Sequence, residues 1–381
     1  MEEVQLGVPA GAVQALDVRF TGSGGEYFRI WIVNLLLTIV TLGLYYPWAK
    51  ARRLRYFCAS TLVGGHALDF HGDPKSMLRG YLLAGALLVM YSLSGKISLP
   101  AGIVALLAVA GAYPALVWVA LRFRLANTSW RGLRLRFAGT IGGAYRALLP
   151  AVVPVVLFIS LGALVRQRTE VPGHLLHPGL ALGVLLSMLS IPALAPLVLW
   201  LFKCYQHGHL ALGEECGRLT AGPGPFYLLA VKIALVFALT LLLLMAGPII
   251  LAGGPAGYRN RLLVLLLLAF AYLVVLVIVG AYAVARLQNL LWSNTASARI
   301  RFGSALRALP YIRLAVTNLV LVIVTLGLYW PFAATALARM RLEAMAIQLD
   351  VPADELSAEP RRDDDATGDA AGDLFGLDIG F

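Results

Sequence analysis

Eight times along the chain an apolar run is long enough to cross about 30 Å of hydrocarbon. The runs are Phe28–Trp48, Leu78–Ser94, Leu99–Leu121, Tyr145–Val165, Leu175–Leu201, Phe226–Leu251, Leu262–Ala285 and Tyr311–Leu337. In lipid every backbone N–H and C=O needs an internal partner, so each run must be helical. With 60% hydrophobic and 13% charged residues, the 381-residue chain cannot cover itself as a soluble globule. The pattern predicts an all-α polytopic membrane protein of about eight hydrophobic helical segments.

The connections after odd-numbered runs are long and basic, and those after even-numbered runs are short. Residues 49–80, 122–146, 202–225 and 286–313 carry the excess of Lys and Arg, which places them in the cytoplasm by the positive-inside rule. The net charge of +11 conceals a contrast. Residues 350–381 hold ten acids against Arg361 and Arg362, so a basic body precedes an acidic tail. The organisation expected is residues 1–27 as an N-terminal segment with a short strand, 28–345 as the membrane domain, and 346–381 as a disordered acidic tail. The body is expected to meet anionic lipid headgroups, and the tail to offer a docking segment for a protein partner. No basic domain suited to nucleic acid is present.

The basic connections resemble one another. Ser60-Thr61 leads to Phe70, and Asn127-Thr128 leads to Phe137 at the same spacing, with Gly65 and Gly132 aligned between. Asn294-Thr295 leads to Arg301-Phe302, and Arg19-Phe20-Thr21-Gly22 forms a partial fourth copy. Leu133–Phe137 and Ala298–Phe302 alternate apolar and cationic residues, the period of a half-buried strand. These features predict short β segments layered under the helices.

A second correspondence joins Asn34–Phe57 to Asn318–Arg341, identical at thirteen of 24 positions, including Asn, Thr, Gly, Tyr and Pro in register. Eight straight spans would orient the two copies oppositely. Either each copy enters the membrane and returns, broken at Thr41-Leu42-Gly43 and Thr325-Leu326-Gly327, or the two form an inverted pair.

Polar residues on these apolar helices are the leading candidates for a function. Asn34, Thr38, Thr41 and Gly43, with Asn318, Thr325 and Gly327, would line a polar path or glue helices together. The pairs Arg134/Arg136 and Arg299/Arg301 are candidates for anionic lipid or ligand contacts. Cys204, His207, His209 and Cys216 are zinc-type side chains, but their spacing fits no strong template, so no metal is expected. No nucleophile–base pair, carboxylate dyad, phosphate-binding glycine loop or HExxH occurs, so neither catalysis nor a cofactor is expected.

The residues Phe20-Thr21-Gly22, Glu26-Tyr27-Phe28, Asn34–Thr38, Thr41–Tyr45, Trp48–Lys50, Arg52 and Arg55–Phe57, with Asn127–Trp130 and Asn318–Ala333, resemble the YjgN-like family of bacterial inner-membrane proteins. The resemblance implies a multi-pass protein of the bacterial inner membrane and supplies no activity. The function expected is binding or moving a small solute or lipid. The alternative is a membrane scaffold or envelope-stress component that recruits partners through its basic segments and tail.

Overall fold

The computed structural model describes residues 14–169, 177–213, 215–253 and 261–350. The expected disordered tail from residue 351 onward lies outside them. Among the described residues, ten helices and eleven strands alternate in a fixed rhythm. Strand β1 (Gln14–Phe20) leads into helices α1 (Gly24–Val40) and α2 (Tyr46–Ala59). Strands β2 (Thr61–Val63) and β3 (His66–Phe70) follow, then α3 (Pro74–Ile97) and α4 (Leu99–Ala126). Next come β4 (Thr128–Trp130) and β5 (Leu133–Phe137), α5 (Ile141–Thr169) and α6 (Pro178–Gly208). After β6 (Leu210–Leu212), β7 (Glu215–Cys216) and β8 (Arg218–Leu219) come α7 (Pro223–Gly253) and α8 (Arg261–Trp292). Finally β9 (Thr295–Ala296) and β10 (Ile300–Ser304) precede α9 (Ala308–Val324), α10 (Trp330–Leu342) and β11 (Met345–Leu349).

The strands are more than isolated segments in loops. They form one antiparallel sheet in the order β7-β6-β5-β4-β3-β2-β1-β11-β10-β9-β8. Its two end strands are consecutive in the chain, separated only by Gly217, so the sheet closes into a ring. The Gly217 N–H donates to the Leu210 carbonyl at 2.7 Å. Closure also pairs β1 with β11, and residues 346–349, grouped with the acidic tail by charge, belong to this strand. The turns 64–65 and 131–132 are two-residue hairpins with positive φ throughout: Gly64 (+56°), Gly65 (+80°), Arg131 (+51°) and Gly132 (+80°).

Five helical hairpins rise from the ring, and each is clamped at its base in the same way. The N–H groups of Thr21, His71, Ala138, Thr220 and Ala305, just beyond one strand, donate at 2.8–2.9 Å. Their acceptors are the carbonyls of Ser60, Asn127, His209, Asn294 and Ala344, where each hairpin returns. The next carbonyl along each entering segment also has a side-chain donor. Gly22 accepts from Arg339 (2.9 Å), Gly72 from Arg55 (2.9 Å) and Gly139 from Trp118 (2.7 Å). Ala221 accepts from Trp200 (2.8 Å) and Leu306 from Asn289 (2.9 Å). The first helix of each hairpin packs on the second helix of its neighbour: α3 on α2, α5 on α4, α7 on α6, α9 on α8 and α1 on α10. The helices therefore close a ring of their own on one side of the sheet.

Six helices among the described residues, α3 to α8, are long and apolar enough to cross a membrane. At 1.5 Å per residue their 24–32 residues extend about 36–48 Å. They leave Leu242, Leu243 and Leu265 exposed, as lipid-facing surfaces do. The expected first and eighth spans are instead broken. Their 13–17-residue helices reach only about 20–26 Å before turning back.

The break is written in the matched residues. Thr41 and Thr325 end α1 and α9. Leu42 (φ +50°) and Gly43 (+91°), like Leu326 (+51°) and Gly327 (+93°), take left-handed conformations. Gly43 N–H reaches back to the Thr38 carbonyl at 2.8 Å, and Gly327 N–H to that of Val322 at 2.7 Å, the bond that ends a helix in a Schellman turn. The Thr41 and Thr325 hydroxyls then accept the N–H of Tyr45 and Tyr329, both at 3.0 Å, and Pro47 and Pro331 start the returning helices. Leu42 and Leu326 at the tips are each 94% exposed, as befits a turn immersed in hydrocarbon. Thr325→Val keeps the side-chain shape but removes the hydroxyl bonds. It is expected to lower stability by about 1 kcal/mol, read as an earlier thermal transition in detergent.

Candidate functional site

The two short hairpins are neighbours, because closure places β1 beside β11 and α1 against α10. Between them lies a cavity of about 540 Å³. Tyr27, Trp31 and Asn34 of α1 and Tyr46, Lys50 and Arg53 of α2 form one wall. Trp330, Leu337 and Arg341 of α10 form the other, with Arg124 of α4 and Gln288 of α8 at the back. The seam between the hairpins is aromatic, with Phe28 and Phe332 rings 5.9 Å apart. Trp330 lines the cavity yet is 53% exposed, so the chamber opens sideways at the hairpin tips.

The electrostatics of the chamber are one-sided. Lys50, Arg53, Arg124 and Arg341 line it, and no Asp or Glu does so among the described residues. Arg341 Nε donates to Gln288 Oε1 at 3.1 Å, and Gln288 Nε2 donates back to the Arg341 carbonyl at 2.8 Å, which fixes that side chain. Arg53 lies 5.9 Å from the Phe57 ring centroid, in cation–π range. Lys50 and Arg53, three residues apart, share a face of α2. Arg124 and Arg341 each stand three residues before the returning carbonyl of their clamp, Asn127 and Ala344. Both line the chamber from these equivalent places.

Below the chamber lies the interior of the closed sheet. Leu16, Val63, Leu68, Leu135, Leu212 and Ile347 from six strands face a common apolar space of about 160 Å³. Leu54, Phe57, Arg124, Leu342 and Met345 line both spaces and form the neck between them.

Of the polar residues singled out in the sequence, Asn34 lines the chamber and is buried. Its Oδ1 accepts from Arg52 Nη1 at 3.5 Å. Asn318 is equally buried in α9, outside the lining. Ala336 stands where the first copy has Arg52, and Asn318 Nδ2 has no hydrogen-bond partner. The Thr38 hydroxyl donates to the Asn34 carbonyl, while Thr41, Gly43, Thr325 and Gly327 build the turns.

None of the four candidate arginines lines the chamber, and Arg299 lies in the bend just before β10 rather than in the strand expected over 298–302. Arg134 is exposed and donates to the Ala126 carbonyl at 3.3 Å, and Arg136 alternates with the inward-facing Leu135 and Phe137. Arg299 pairs with Glu215 and Arg301 with Asp350, both at 3.4 Å. The zinc-type residues are drawn into separate contacts. His207 Nδ1 bonds Thr295 Oγ1 at 3.1 Å beside Trp292, His209 Nδ1 bonds the Tyr205 carbonyl at 2.8 Å, and Cys216 is exposed. No group of three or more potential metal ligands forms among the described residues.

Helices of bilayer length with lipid-type outer surfaces, gathered over a ring of strands, define a multi-pass membrane protein. The comparisons agree. Residues 15–374 match the family model described as "Bacterial protein of unknown function (DUF898)", and the chain belongs to that family. It is 27% identical over 368 residues to "Inner membrane protein YjgN" of Salmonella typhimurium strain LT2, covering 90% of this chain and 91% of the relative. The protein of the same name from Escherichia coli O157:H7 is 26% identical over 172 residues, 44% of this chain and 41% of the relative. That of Escherichia coli K12 is 47% identical over 51 residues, 13% of each chain. No solved structure matches. The protein is one of the bacterial inner membrane.

Proposed function

We propose that the protein binds the anionic headgroup of a membrane lipid in the chamber between its two short hairpins, and that the lipid passes sideways between their tips. The observation that carries this reading is the lining: four cations and no described acid around about 540 Å³ of space, enclosed by membrane helices. Like charges gathered beside hydrocarbon give an entering anion charge-assisted bonds in a poorly hydrated place. The aromatic mouth suits an amphiphile, since Trp and Tyr sit well at the boundary between apolar and polar regions. The basic connections lie at the ring, so the positive-inside rule puts the ring on the cytoplasmic side and the mouth within the bilayer.

Native mass spectrometry of the protein released from mild detergent tests the reading. It is expected to retain about one anionic phospholipid per chain, selected over zwitterionic lipid, because the ammonium of a zwitterionic headgroup would face like charge in the cationic lining. Retention of lipids in the proportions of the surrounding membrane would overturn it.

A further inference from the structure

We infer that the interior of the closed sheet is an acyl-chain site, filled through the neck by one alkyl chain of the bound anionic lipid. The inference rests on the headgroup reading and adds the class of ligand: an amphiphile whose chain points away from the bilayer, into the ring.

Three observations support it. First, protein interiors close-pack and leave few voids larger than a water molecule, whereas the ring keeps about 160 Å³ open. Second, the space offers water little to bond. The hydroxyls of Thr61 and Thr128 at its edge are committed to the carbonyls of Phe57 (2.7 Å) and Arg124 (2.9 Å). Ser297 Oγ accepts the Ile300 N–H at 3.0 Å, and Glu215 pairs with Arg299 at 3.4 Å. A mainly apolar hole of this size, with its edge hydroxyls already bonded and its charged groups confined to the rim, favours apolar guests over water. Third, the hole is continuous with the cationic chamber, and Arg124 lines both. An anion held by Arg53, Arg124 and Arg341 has the ring mouth within its own length. One end charged and one end greasy is the shape of an anionic amphiphile.

The test uses the full chain in detergent and a lysophosphatidic acid that carries a diazirine at its chain terminus. Photolysis followed by peptide mapping is expected to place adducts on the ring lining, in residues 61–70, 128–137 and 345–349. Adducts confined to the hairpin tips, residues 42–46 and 326–330, would overturn the inference while leaving the headgroup reading intact, because the chain would then lie in the bilayer. No specific adduct at either place would overturn both.

A second measurement reads chain length. Binding of lysophosphatidic acids of increasing length is expected to strengthen and then level off. Leu135→Trp, which fills the ring, should move that plateau to shorter chains, and Phe302→Ala should move it to longer ones. Each methylene excluded should weaken binding about fourfold. An identical length dependence in the wild type and both variants, with binding retained, would overturn the inference.

Discussion

Replacing Arg53 and Arg124 together by Gln is expected to weaken binding of a short-chain phosphatidylglycerol by at least about a hundredfold. A hydrogen bond to a charged group is worth about 1.5–3 kcal/mol, and each 1.4 kcal/mol is a factor of ten. The two residues approach the chamber from different helices, α2 and α4, and Arg124 also guards the neck to the ring. Removing both leaves Lys50 and Arg341 without the cations that complete the cradle. Gln keeps much of the stem and some donors, so the loss reports charge more than packing. The control is Arg134→Gln with Arg301→Gln, which removes the same charge from exposed residues outside the chamber. Its affinity should stay within about twofold, since solvent and salt screen exposed charges that do not touch the ligand. Equal losses in the two double variants would mean that the whole basic surface, rather than the chamber, holds the lipid.

The second large effect concerns closure. Gly217→Val is expected to cost about 3 kcal/mol or more, at the upper end of single substitutions. A Cβ at this position would sit 2.6 Å from the His207 carbonyl oxygen and 3.2 Å from that of Leu210, both backbone atoms that cannot swing aside. The same glycine donates the 2.7 Å bond to Leu210 at the place where the sheet meets itself. Amide hydrogen exchange localises the outcome. Protection should fall in β6 to β9 first, while the distant α3/α4 hairpin keeps its own. A uniform loss of protection would show that the ring opens as one cooperative unit, and unchanged exchange would refute the closing role of Gly217.

Much of this architecture can be read from local signals. The six long helices follow from apolar runs of bilayer length, because the solvent forces them to satisfy their own backbones. The two-residue turns at 64–65 and 131–132 announce themselves through glycine between short alternating stretches. The returning hairpins are encoded in Thr-Leu-Gly-Leu-Tyr followed by Pro, and the repetition of those residues at both ends of the chain left a re-entrant pair as one of two open readings. Arg55 and Arg339, matched in the sequence, make matched bonds to Gly72 and Gly22. Trp118, Trp200 and Asn289 do the same work with different chemistry, so no residue pattern marks them as equivalent.

Ring closure was illegible for a different reason. The pairing of β1 with β11 is non-local, and neither strand carries a mark of its partner. The chamber was hidden within the charge pattern. Lys50, Arg53 and Arg124 are counted among the basic residues expected to orient the protein, and nothing in a charge count separates those that face water from those that converge. The one local hint is that Arg124 and Arg341 both precede a returning strand by the same interval. Threonines on apolar helices are ambiguous by nature, since a hydroxyl bonded to its own helix looks the same in sequence as one lining a channel.

The seam between the first and last strands sets an order on biogenesis. The ribosome delivers β1 early, and that strand has its β2 edge satisfied while the other edge stands open until β11 emerges. The four later hairpins must therefore enter the membrane before the molecule can lock. The two facing walls of the chamber belong to the first and last hairpins in chain order, and they meet at the final step. A ligand caught between them would be enclosed only when that last pairing forms.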